Sequence, residues 1–154
     1  MNALSDCCSA SNSRESITIC PSCKNKGKHV SIITLKSLLS PCALEKLQPE
    51  MNYYFCSTAD CKVAYFNSDE QTFTKEELKV RVFQKESDNN IPICYCFNWT
   101  KHTIMEDLSS NGKSTVIQKI TSHIKANRCG CEVNNPQGSC CLGNVTGFVR
   151  SLNG

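Results

Sequence analysis

The residues most able to do chemistry in this sequence are its thirteen cysteines. Six of them fall in the second half of the chain, in two groups separated by helix-like sequence: Cys94, Cys96, Cys129, Cys131, Cys140 and Cys141. Each iron of a [2Fe–2S] cluster prefers tetrahedral sulfur, and the bridging sulfides leave the protein to supply four thiolates. The pattern therefore predicts a [2Fe–2S] site in this part of the chain.

A second set of four cysteines lies earlier, as a C-x-x-C pair and a C-x₄-C pair: Cys20, Cys23, Cys56 and Cys61. A C-x-x-C turn points backbone amides at the sulfurs and directs both thiolates at one cation. Gly27, just after the first pair, is expected to supply backbone freedom. We predict a closed Cys₄ zinc site with a structural role, because no coordination position is left open for catalysis. His29 and Asp60 are nearby alternative ligands.

The remaining thiols and the other histidines receive simpler interpretations. Cys7 and Cys8 form either an incidental pair or a labile site for a soft metal ion. Cys42 is expected to be a buried or incidental thiol. His102 and His123 are expected to be surface or capping residues of helices rather than metal ligands.

Composition places the chain among folded proteins, with 40% hydrophobic and 20% charged residues. The odd cysteine count, the close spacings and the lack of an export signal favour metal ligation over a disulfide scaffold. Because the longest apolar run is only a few residues, no membrane span is predicted, and with the lack of an export signal this predicts a cytoplasmic protein. A net charge of +3, with basic residues scattered among acidic ones, does not indicate a nucleic-acid surface.

The organisation that positions these cysteines is predicted to be α+β. Residues 1–16 are expected to form a flexible tail and residues 17–84 a small zinc-ribbon-like antiparallel β module. A polar linker over residues 85–92 leads to a helical module over residues 93–154. The β module is too small to fold well on its hydrophobic core alone, so a structural ion would supply the missing stability.

Within the β module, strand-like runs flank the predicted zinc ligands at residues 17–19, 53–55, 62–66 and 78–83. The last run alternates apolar and charged residues, as an antiparallel strand with one solvated face does. Residues 30–39 begin like a strand and continue as a helix with a possible cap at Thr34, which stops before Pro41.

Three helices are predicted in the second module. Thr100 can cap a first helix that ends at Asn111 and Gly112, and Ser114 can cap a second one that runs through Asn127. The resulting hairpin brings the end of the second helix back toward Cys94 and Cys96. Cys141 is expected to open the third helix, near the positive end of its dipole. Phe97 and Trp99 are expected to shield the cluster from water.

Four motifs together resemble a known family. They are C-P-x-C-x₃-G-K, Y-Y-F-C-x₄-C-x-V-x-Y-F, C-Y-C-F-x-W-T and C-x-C-E-x-x-N-P-x-G-x-C-C-L-G. From Cys20 onward this order resembles the N-terminal domain of copper chaperones of the CopZ type, which joins a mononuclear zinc site to a [2Fe–2S] site. The C-terminal half is similar to bacterioferritin-associated ferredoxin, a compact helical [2Fe–2S] fold.

This resemblance implies a metal-homeostasis protein with one zinc ion, one [2Fe–2S] cluster and a copper-handling or redox partner. The chaperones hold Cu(I) in an M-x-C-x-x-C loop of a following heavy-metal-associated domain, whereas the one C-x-x-C of this sequence is Cys20 to Cys23. We therefore do not expect copper transfer through that loop. What the resemblance implies instead is Cu⁺ binding, or one-electron reduction of Cu(II) to Cu(I).

Six cysteines compete for four positions on the cluster. We favour Cys94, Cys96, Cys131 and Cys141, because Cys131 lies nearer than its neighbour to the turn that reaches Cys141. Cys129 and Cys140 are the alternates, since the spacing from Cys96 to Cys129 also suits a small ferredoxin.

Two other functions compete with the metal-homeostasis interpretation. One is a stand-alone ferredoxin-like electron relay without a copper role. The other is a zinc-ribbon module that binds another macromolecule. An electron-transfer or metal-binding protein is expected rather than a conventional enzyme, because no Ser/His/Asp arrangement or phosphate-binding glycine loop is present. The oligomeric state does not follow from the sequence.

Overall fold

The fold was analysed on a computed structural model that describes residues 18–153. The predicted tail, with Cys7 and Cys8, lies outside the described residues. The first half forms a four-stranded antiparallel sheet in the order β1-β2-β3-β4. Its strands are β1 (Lys28–Val30), β2 (Tyr53–Phe55), β3 (Val63–Asn67) and β4 (Thr72–Thr74). The predicted α+β class with a small antiparallel sheet is confirmed.

The sheet separates two groups of buried side chains. Tyr53 and Phe55 of β2 face the larger core, whereas Tyr54 between them packs with the predicted zinc ligands. This alternation follows from the two-residue period of a strand. A bulge between Val63 and Tyr65 shifts the register of β3 against β4, and all five residues of β3 are buried.

Helices cover the sheet and form the second half of the chain. Against the larger core lie α1 (Ile32–Leu38) and the one-turn α2 (Pro41–Leu44). A short antiparallel pair, β5 (Pro92–Cys94) and β6 (Trp99–Thr100), leads into the second half. Its helices are α3 (Lys101–Asn111), α4 (Val116–Lys125), α5 (Cys131–Asn134) and α6 (Leu142–Asn153). Of these, α5 has no counterpart among the predicted elements.

Helix starts follow local hydrogen bonding. Thr100 caps α3 as predicted, because its hydroxyl accepts from the Thr103 N–H at 3.0 Å. Helix α4 begins at Val116, two residues after Ser114, the predicted cap. The Ser114 hydroxyl nevertheless accepts from the Val116 N–H at 3.3 Å. The cap of α1 is Ser31 rather than Thr34.

Two expectations about the β module are wrong. Residues 78–83 do not form a strand: Leu78 makes a single bridge to Leu39, and the chain continues as bends into the 3₁₀ turn Phe83–Lys85. Gly27 is required for space rather than for backbone freedom. A Cβ atom there would lie 2.5 Å from Cζ of Phe66, and the left-handed residue of this turn is Lys24.

The two halves contact each other through the turn that follows α5. Thr34 of α1 is fully buried, and its hydroxyl donates to the Glu132 carbonyl at 2.6 Å. The Tyr65 hydroxyl on β3 donates to the buried carbonyl of Pro136. Residues 132–139 are thus fixed to the sheet, and the cysteines at either end of this segment are fixed with them.

Gly138 lies at the centre of this contact, and replacing it with alanine should loosen the two halves. Its φ is +71°, and a Cβ atom would lie 3.1 Å from Thr34 Oγ1 and from Val30 Cγ1. We expect Gly138→Ala to lower the free energy of unfolding by about 2–4 kcal/mol, from backbone strain plus overpacking. Urea denaturation followed by circular dichroism measures the change.

Gly112→Ala is the matched control, because Gly112 has a φ of +74° and a Cβ atom added there would meet nothing within 4 Å. It should cost about 1–2 kcal/mol, from the backbone strain alone. Equal losses in the two variants would show that Gly138 is needed only for its backbone conformation and not for the contact between the halves.

The turn between α3 and α4 is organised by one carboxylate. Asp107 accepts hydrogen bonds from the Thr115 N–H at 2.6 Å, the Thr115 hydroxyl at 2.8 Å and the Ser114 hydroxyl at 3.1 Å. Although burial acts to raise it, these bonds and one from Asn111 lower the pKa of Asp107. The ionised side chain therefore holds the helical hairpin together.

Asp107→Asn should lower the free energy of unfolding at pH 7 by about 1–3 kcal/mol, because an amide cannot accept all of these bonds. A carboxyl group whose pKa is lower in the folded than in the unfolded state stabilises the fold at pH values above its unfolded pKa. This contribution is lost as the pH falls through the folded pKa. The difference between variant and wild type should therefore shrink below about pH 4. Urea denaturation of both proteins at pH 7 and at about pH 3.5 measures this difference in the free energy of unfolding. An effect of metal loss that is common to both proteins cancels from the difference.

Glu106→Gln is the control on the same helix. Glu106 forms an exposed ion pair with His102 at 3.2 Å, and its loss should cost less than about 0.5 kcal/mol. A loss in Asp107→Asn no larger than this would contradict the role given to Asp107.

Within residues 18–153, no helix is long and apolar enough to span a bilayer.

Candidate metal centres

The first candidate centre brings together the four predicted zinc ligands. The sulfurs of Cys20, Cys23, Cys56 and Cys61 all lie within 4.8 Å of one another. Cys20 and Cys61 are 3.9 Å apart and Cys23 and Cys56 are 3.6 Å apart, measured between sulfurs. Sulfurs on a tetrahedral zinc ion with bonds of about 2.3 Å lie at comparable separations. The arrangement is a Cys₄ metal site with no vacant ligand position.

Local backbone geometry explains how each pair is held. The chain turns tightly after Cys20, whose carbonyl accepts from the Lys24 N–H at 2.9 Å. The N–H groups of Ser22 and Cys23 point at the Cys20 sulfur, as expected for a C-x-x-C turn. On the other side, Cys56 directly follows β2, and its N–H donates to the Ala64 carbonyl of β3 at 2.9 Å.

The thiols of this set differ in acidity. Burial raises the pKa of Cys20 to about 12. For Cys23 burial acts in the same direction, but hydrogen bonds from the Thr58 hydroxyl and the Asn25 N–H lower its pKa to about 6. Burial also raises the pKa of Cys56. Four such thiols this close together cannot all ionise unless a cation offsets their charge, which is the chemistry of a thiolate metal site.

A buried lysine lies beside these sulfurs. Lys85 is 6% exposed, and its ammonium donates to the carbonyls of Thr58 at 2.7 Å and Cys61 at 3.0 Å. It also lies 3.7 Å from the Cys56 sulfur. The predicted linker thus begins with a residue that belongs physically to the zinc loop.

The second candidate centre gathers cysteines from three segments of the helical half. Cys94 ends β5, Cys131 opens α5, and Cys141 immediately precedes α6. The sulfurs of Cys96 and Cys131 lie 3.6 Å apart. Cys141 is in hydrogen-bonding contact with both Cys94 and Cys131. The structure therefore connects, in one chain of sulfur contacts, the four cysteines favoured from sequence.

Burial differs sharply among the six thiols of this half. Cys94 is fully buried and Cys141 is 2% exposed, whereas Cys129 and Cys140 are exposed. The Cys140 sulfur accepts from the Leu142 N–H at 3.4 Å and also reaches Cys131. The side chain of Cys129 forms no hydrogen bond with any described residue.

Shared protons link the buried thiols. Contact with Cys141 lowers the pKa of Cys94 to about 7 and that of Cys131 to about 6. The pKa of Cys141 itself is raised by the same two neighbours and by burial. Burial raises the pKa of Cys96 to about 11. The thiol proton of Cys141 thus lies between two acidic sulfurs, and a cationic iron centre would take over its role.

Backbone and side-chain donors also point at this centre. The Gly130 N–H donates to the Cys96 sulfur at 3.1 Å, and the Asn134 amide lies 3.7 Å from it. Donors of this kind orient a ligating thiolate and tune the bound metal. The residues present thus fit a sulfur-ligated cluster in ligand type, number and outer hydrogen bonds.

The other predicted residues are distributed around the two centres. Phe97 stacks on His123 with ring centroids 4.1 Å apart, and Trp99 lies under the Lys119 ammonium. Both aromatic rings pack against the core that contains Cys94 and Cys141. The exposed His29 packs against Tyr54, and neither it nor Asp60 belongs to the Cys₄ group. Cys42 is exposed on α2, so of the two expectations for it, a buried or an incidental thiol, the first is excluded.

Sequence reasoning missed several residues that contact these sulfurs. Lys85 and Thr58 carry no motif, because their roles depend on how the chain folds back on the zinc loop. The Gly130 N–H could have been anticipated, since it lies inside the C-G-C motif, where a turn amide readily faces the sulfurs.

The fold and its cysteine groups define a zinc-binding α+β domain joined to a second, helical cysteine-rich unit. A family model described as a zinc binding domain matches residues 17–79. The copper chaperone CopZ of Archaeoglobus fulgidus is 35% identical over 122 residues, which cover 79% of this chain and 57% of the relative. The chain thus spans a little over half the length of that relative.

A solved structure makes the relationship more specific. The X-ray structure of the N-terminal domain of Archaeoglobus fulgidus CopZ matches with a TM-score of 0.70 and 33% identity. The match covers 84% of this chain and 96% of that domain. This chain belongs to the family of the CopZ N-terminal domain.

Proposed function

We propose that this chain is a redox domain of metal homeostasis that binds one structural zinc ion and one [2Fe–2S] cluster. The observation that carries the proposal is the chain of sulfur contacts that joins four cysteines from three separate segments, in the order Cys94, Cys141, Cys131 and Cys96. The helical half would then correspond to a module of the bacterioferritin-associated-ferredoxin type.

The proposed ligands divide between the two metals by position. Zinc is assigned to the cysteines on the sheet, Cys20, Cys23, Cys56 and Cys61. Four sulfur ligands close its coordination shell, so it stabilises the fold and does not bind a substrate. The cluster is assigned to the favoured cysteines of the helical half, Cys94, Cys96, Cys131 and Cys141.

When bound, a [2Fe–2S] cluster supplies one-electron transfer at a potential set by ligands, hydrogen bonds and exposure. The chain itself would hold the ligand sulfurs and donate to one of them from Gly130 and Asn134. Phe97 and Trp99, both partly buried against the same core, would limit the access of water. The exposed Cys129 and Cys140 are not needed as ligands in this assignment.

Copper enters the proposal through the relative. The matched protein is called a copper chaperone, and chaperones of this type carry Cu(I). We propose that one electron from the reduced domain converts Cu(II) to Cu(I), with a one-electron donor restoring the reduced state. A copper-handling protein is the expected partner.

The proposed cluster is tested by anaerobic purification of the full chain, with iron, sulfide and zinc analysis together with visible and EPR spectra. We expect two irons, two sulfides and one zinc per chain, and a reduced form that gives a rhombic EPR signal. A colourless protein that holds zinc but neither iron nor sulfide would rule the cluster out.

The copper role is tested separately on the dithionite-reduced, desalted protein. Addition of Cu(II) should reoxidise one equivalent of protein per copper, and the Cu(I) formed can be trapped with bathocuproine disulfonate. The oxidised protein is the control for Cu(I) formed by the cysteine thiols, and the reduced protein should give one equivalent of Cu(I) more than this control. Reversible redox chemistry without any reaction with copper would leave the electron-relay function instead.

A further inference from the structure

Three consecutive residues join both candidate metal centres. The 3₁₀ turn Phe83–Lys85 lies between the two halves of the chain. The Phe83 N–H donates to the Tyr95 hydroxyl at 3.1 Å, and the Gln84 amide donates to the side-chain oxygen of Gln137 at 2.9 Å. Lys85, the third residue, binds the zinc loop as described above. A single turn of chain thus contacts three separate metal-binding segments.

The two contacts on the cluster side are made next to proposed ligands. Tyr95 lies between Cys94 and Cys96 in the sequence. The Gln137 amide donates to the Cys140 carbonyl at 3.1 Å, directly before Cys141. A displacement of the turn would therefore be transmitted to both ends of the second cysteine set.

The contact on the zinc side depends on the zinc loop. A buried ammonium is costly unless its donors find partners. The ion pairs formed by the described residues do not include Lys85, and the partners of its ammonium are the carbonyls of Thr58 and Cys61 and the sulfur of Cys56. These partners all lie in the loop from Cys56 to Cys61, whose two ends are zinc ligands, so a bound zinc ion would fix the groups that hold the ammonium.

We propose that Lys85 is a positioning residue that couples zinc occupancy to the geometry of the second cysteine set. Zinc binding orders the loop from Cys56 to Cys61 and so fixes the carbonyls that hold the ammonium in place. The turn Phe83–Lys85 is then fixed and orders the segments around Tyr95 and Gln137. This inference rests on the proposed function only in assigning zinc to the first set, and it does not require an iron–sulfur cluster.

Amide hydrogen exchange followed by mass spectrometry tests the coupling on the full, iron-free chain, with and without one equivalent of zinc. In the wild type, zinc should slow exchange at least tenfold both in residues 56–61 and in residues 130–139. In Lys85→Met, zinc should still slow exchange in residues 56–61 but change it less than threefold in residues 130–139. Lys79→Met, which replaces a lysine six residues earlier that is more exposed than Lys85, should behave like the wild type.

Wild-type-like zinc protection of residues 130–139 in Lys85→Met would overturn the proposal, as would a wild type in which zinc leaves that segment unchanged. Failure of the wild type to bind zinc in competition with a chromophoric chelator would instead reject the zinc assignment. An absent cluster affects neither readout.

A second variant covers the case in which Lys85→Met loses protection throughout the chain. Gln84→Leu combined with Tyr95→Phe cuts the two contacts to the cluster segments and leaves the lysine in place. This double variant should bind zinc within threefold of the wild-type affinity and lose the zinc effect on residues 130–139. If that effect persists, the turn is not the connection and the proposal fails.

Discussion

Replacing Cys56 with serine is expected to remove zinc from the chain and unfold the β module. Cys56 is 1% exposed, and its sulfur lies 3.6 Å from that of Cys23. Serine does not provide a thiolate, so the ion would be left with three sulfurs and a weak oxygen donor. In small zinc modules, metal binding contributes about 10–16 kcal/mol of apparent free energy that is also folding free energy.

The β module has little with which to replace this contribution. One of its two core clusters consists largely of the ligands themselves, with Val63 and Phe66 against them. Removing the ion would therefore leave that face of the sheet without its centre. Even a net loss of about 3 kcal/mol would lower the melting temperature of a domain of this size by about 12–24 °C.

Zinc content by elemental analysis and thermal unfolding by circular dichroism measure the effect. Cys56→Ser should hold less than about one tenth of the wild-type zinc, as expected when a closed site loses one ligand. Chelation of zinc from the wild type should reproduce the lower melting temperature of Cys56→Ser. Cys42→Ser, which changes an exposed thiol on α2, should keep both the zinc and the stability. Full zinc occupancy in Cys56→Ser would contradict the Cys₄ assignment.

Local sequence was sufficient to predict the zinc ligands and the helical hairpin. Closely spaced cysteine pairs predict a Cys₄ zinc site because the geometry of each pair is local. The cap at Thr100 and the stop at Gly112 are determined by residues within one turn of each helix end. These parts of the prediction depend on few long-range contacts.

The errors lie where tertiary contacts override a local pattern. Residues 78–83 alternate like a strand, yet no neighbouring strand edge is paired with them, and their apolar members Leu78 and Val82 fill the core instead. Thr34 has the residue type of a helix cap, but its hydroxyl donates a hydrogen bond to the Glu132 carbonyl, 98 residues later in the sequence. The sequence around Lys85 predicts a polar linker, because nothing in it indicates that the zinc loop will bury this lysine. Contacts of this kind depend on how the two halves pack, which the spacing of residues does not encode.

The proposed cluster ligands give the second large effect, in a comparison of two adjacent residues. Cys141→Ser should abolish the visible absorption of the anaerobically purified protein, whereas Cys140→Ser should keep it. Cys141 is 2% exposed and contacts both Cys94 and Cys131, while Cys140 is exposed and its sulfur accepts from a backbone N–H. Both neighbours reach Cys131, but only Cys141 is buried between Cys131 and Cys94, where a fourth ligand of the cluster is needed.

The same reasoning applies to the earlier pair, in which Cys131→Ser should lose the cluster and Cys129→Ser should retain it. Cys131 lies 3.6 Å from Cys96, sulfur to sulfur, and Cys129 is exposed.

Iron and sulfide per chain, normalised to zinc, measure all four variants. We expect iron below about one fifth of wild type for Cys131→Ser and Cys141→Ser, because loss of one thiolate leaves an iron without its tetrahedral shell. Zinc should remain at one equivalent throughout, because the Cys₄ site on the sheet is intact in all four variants. Loss of iron from Cys140→Ser, together with a coloured Cys141→Ser, would reverse the ligand assignment. That result would require the exposed Cys140 thiol to move inward and displace the buried Cys141 thiol.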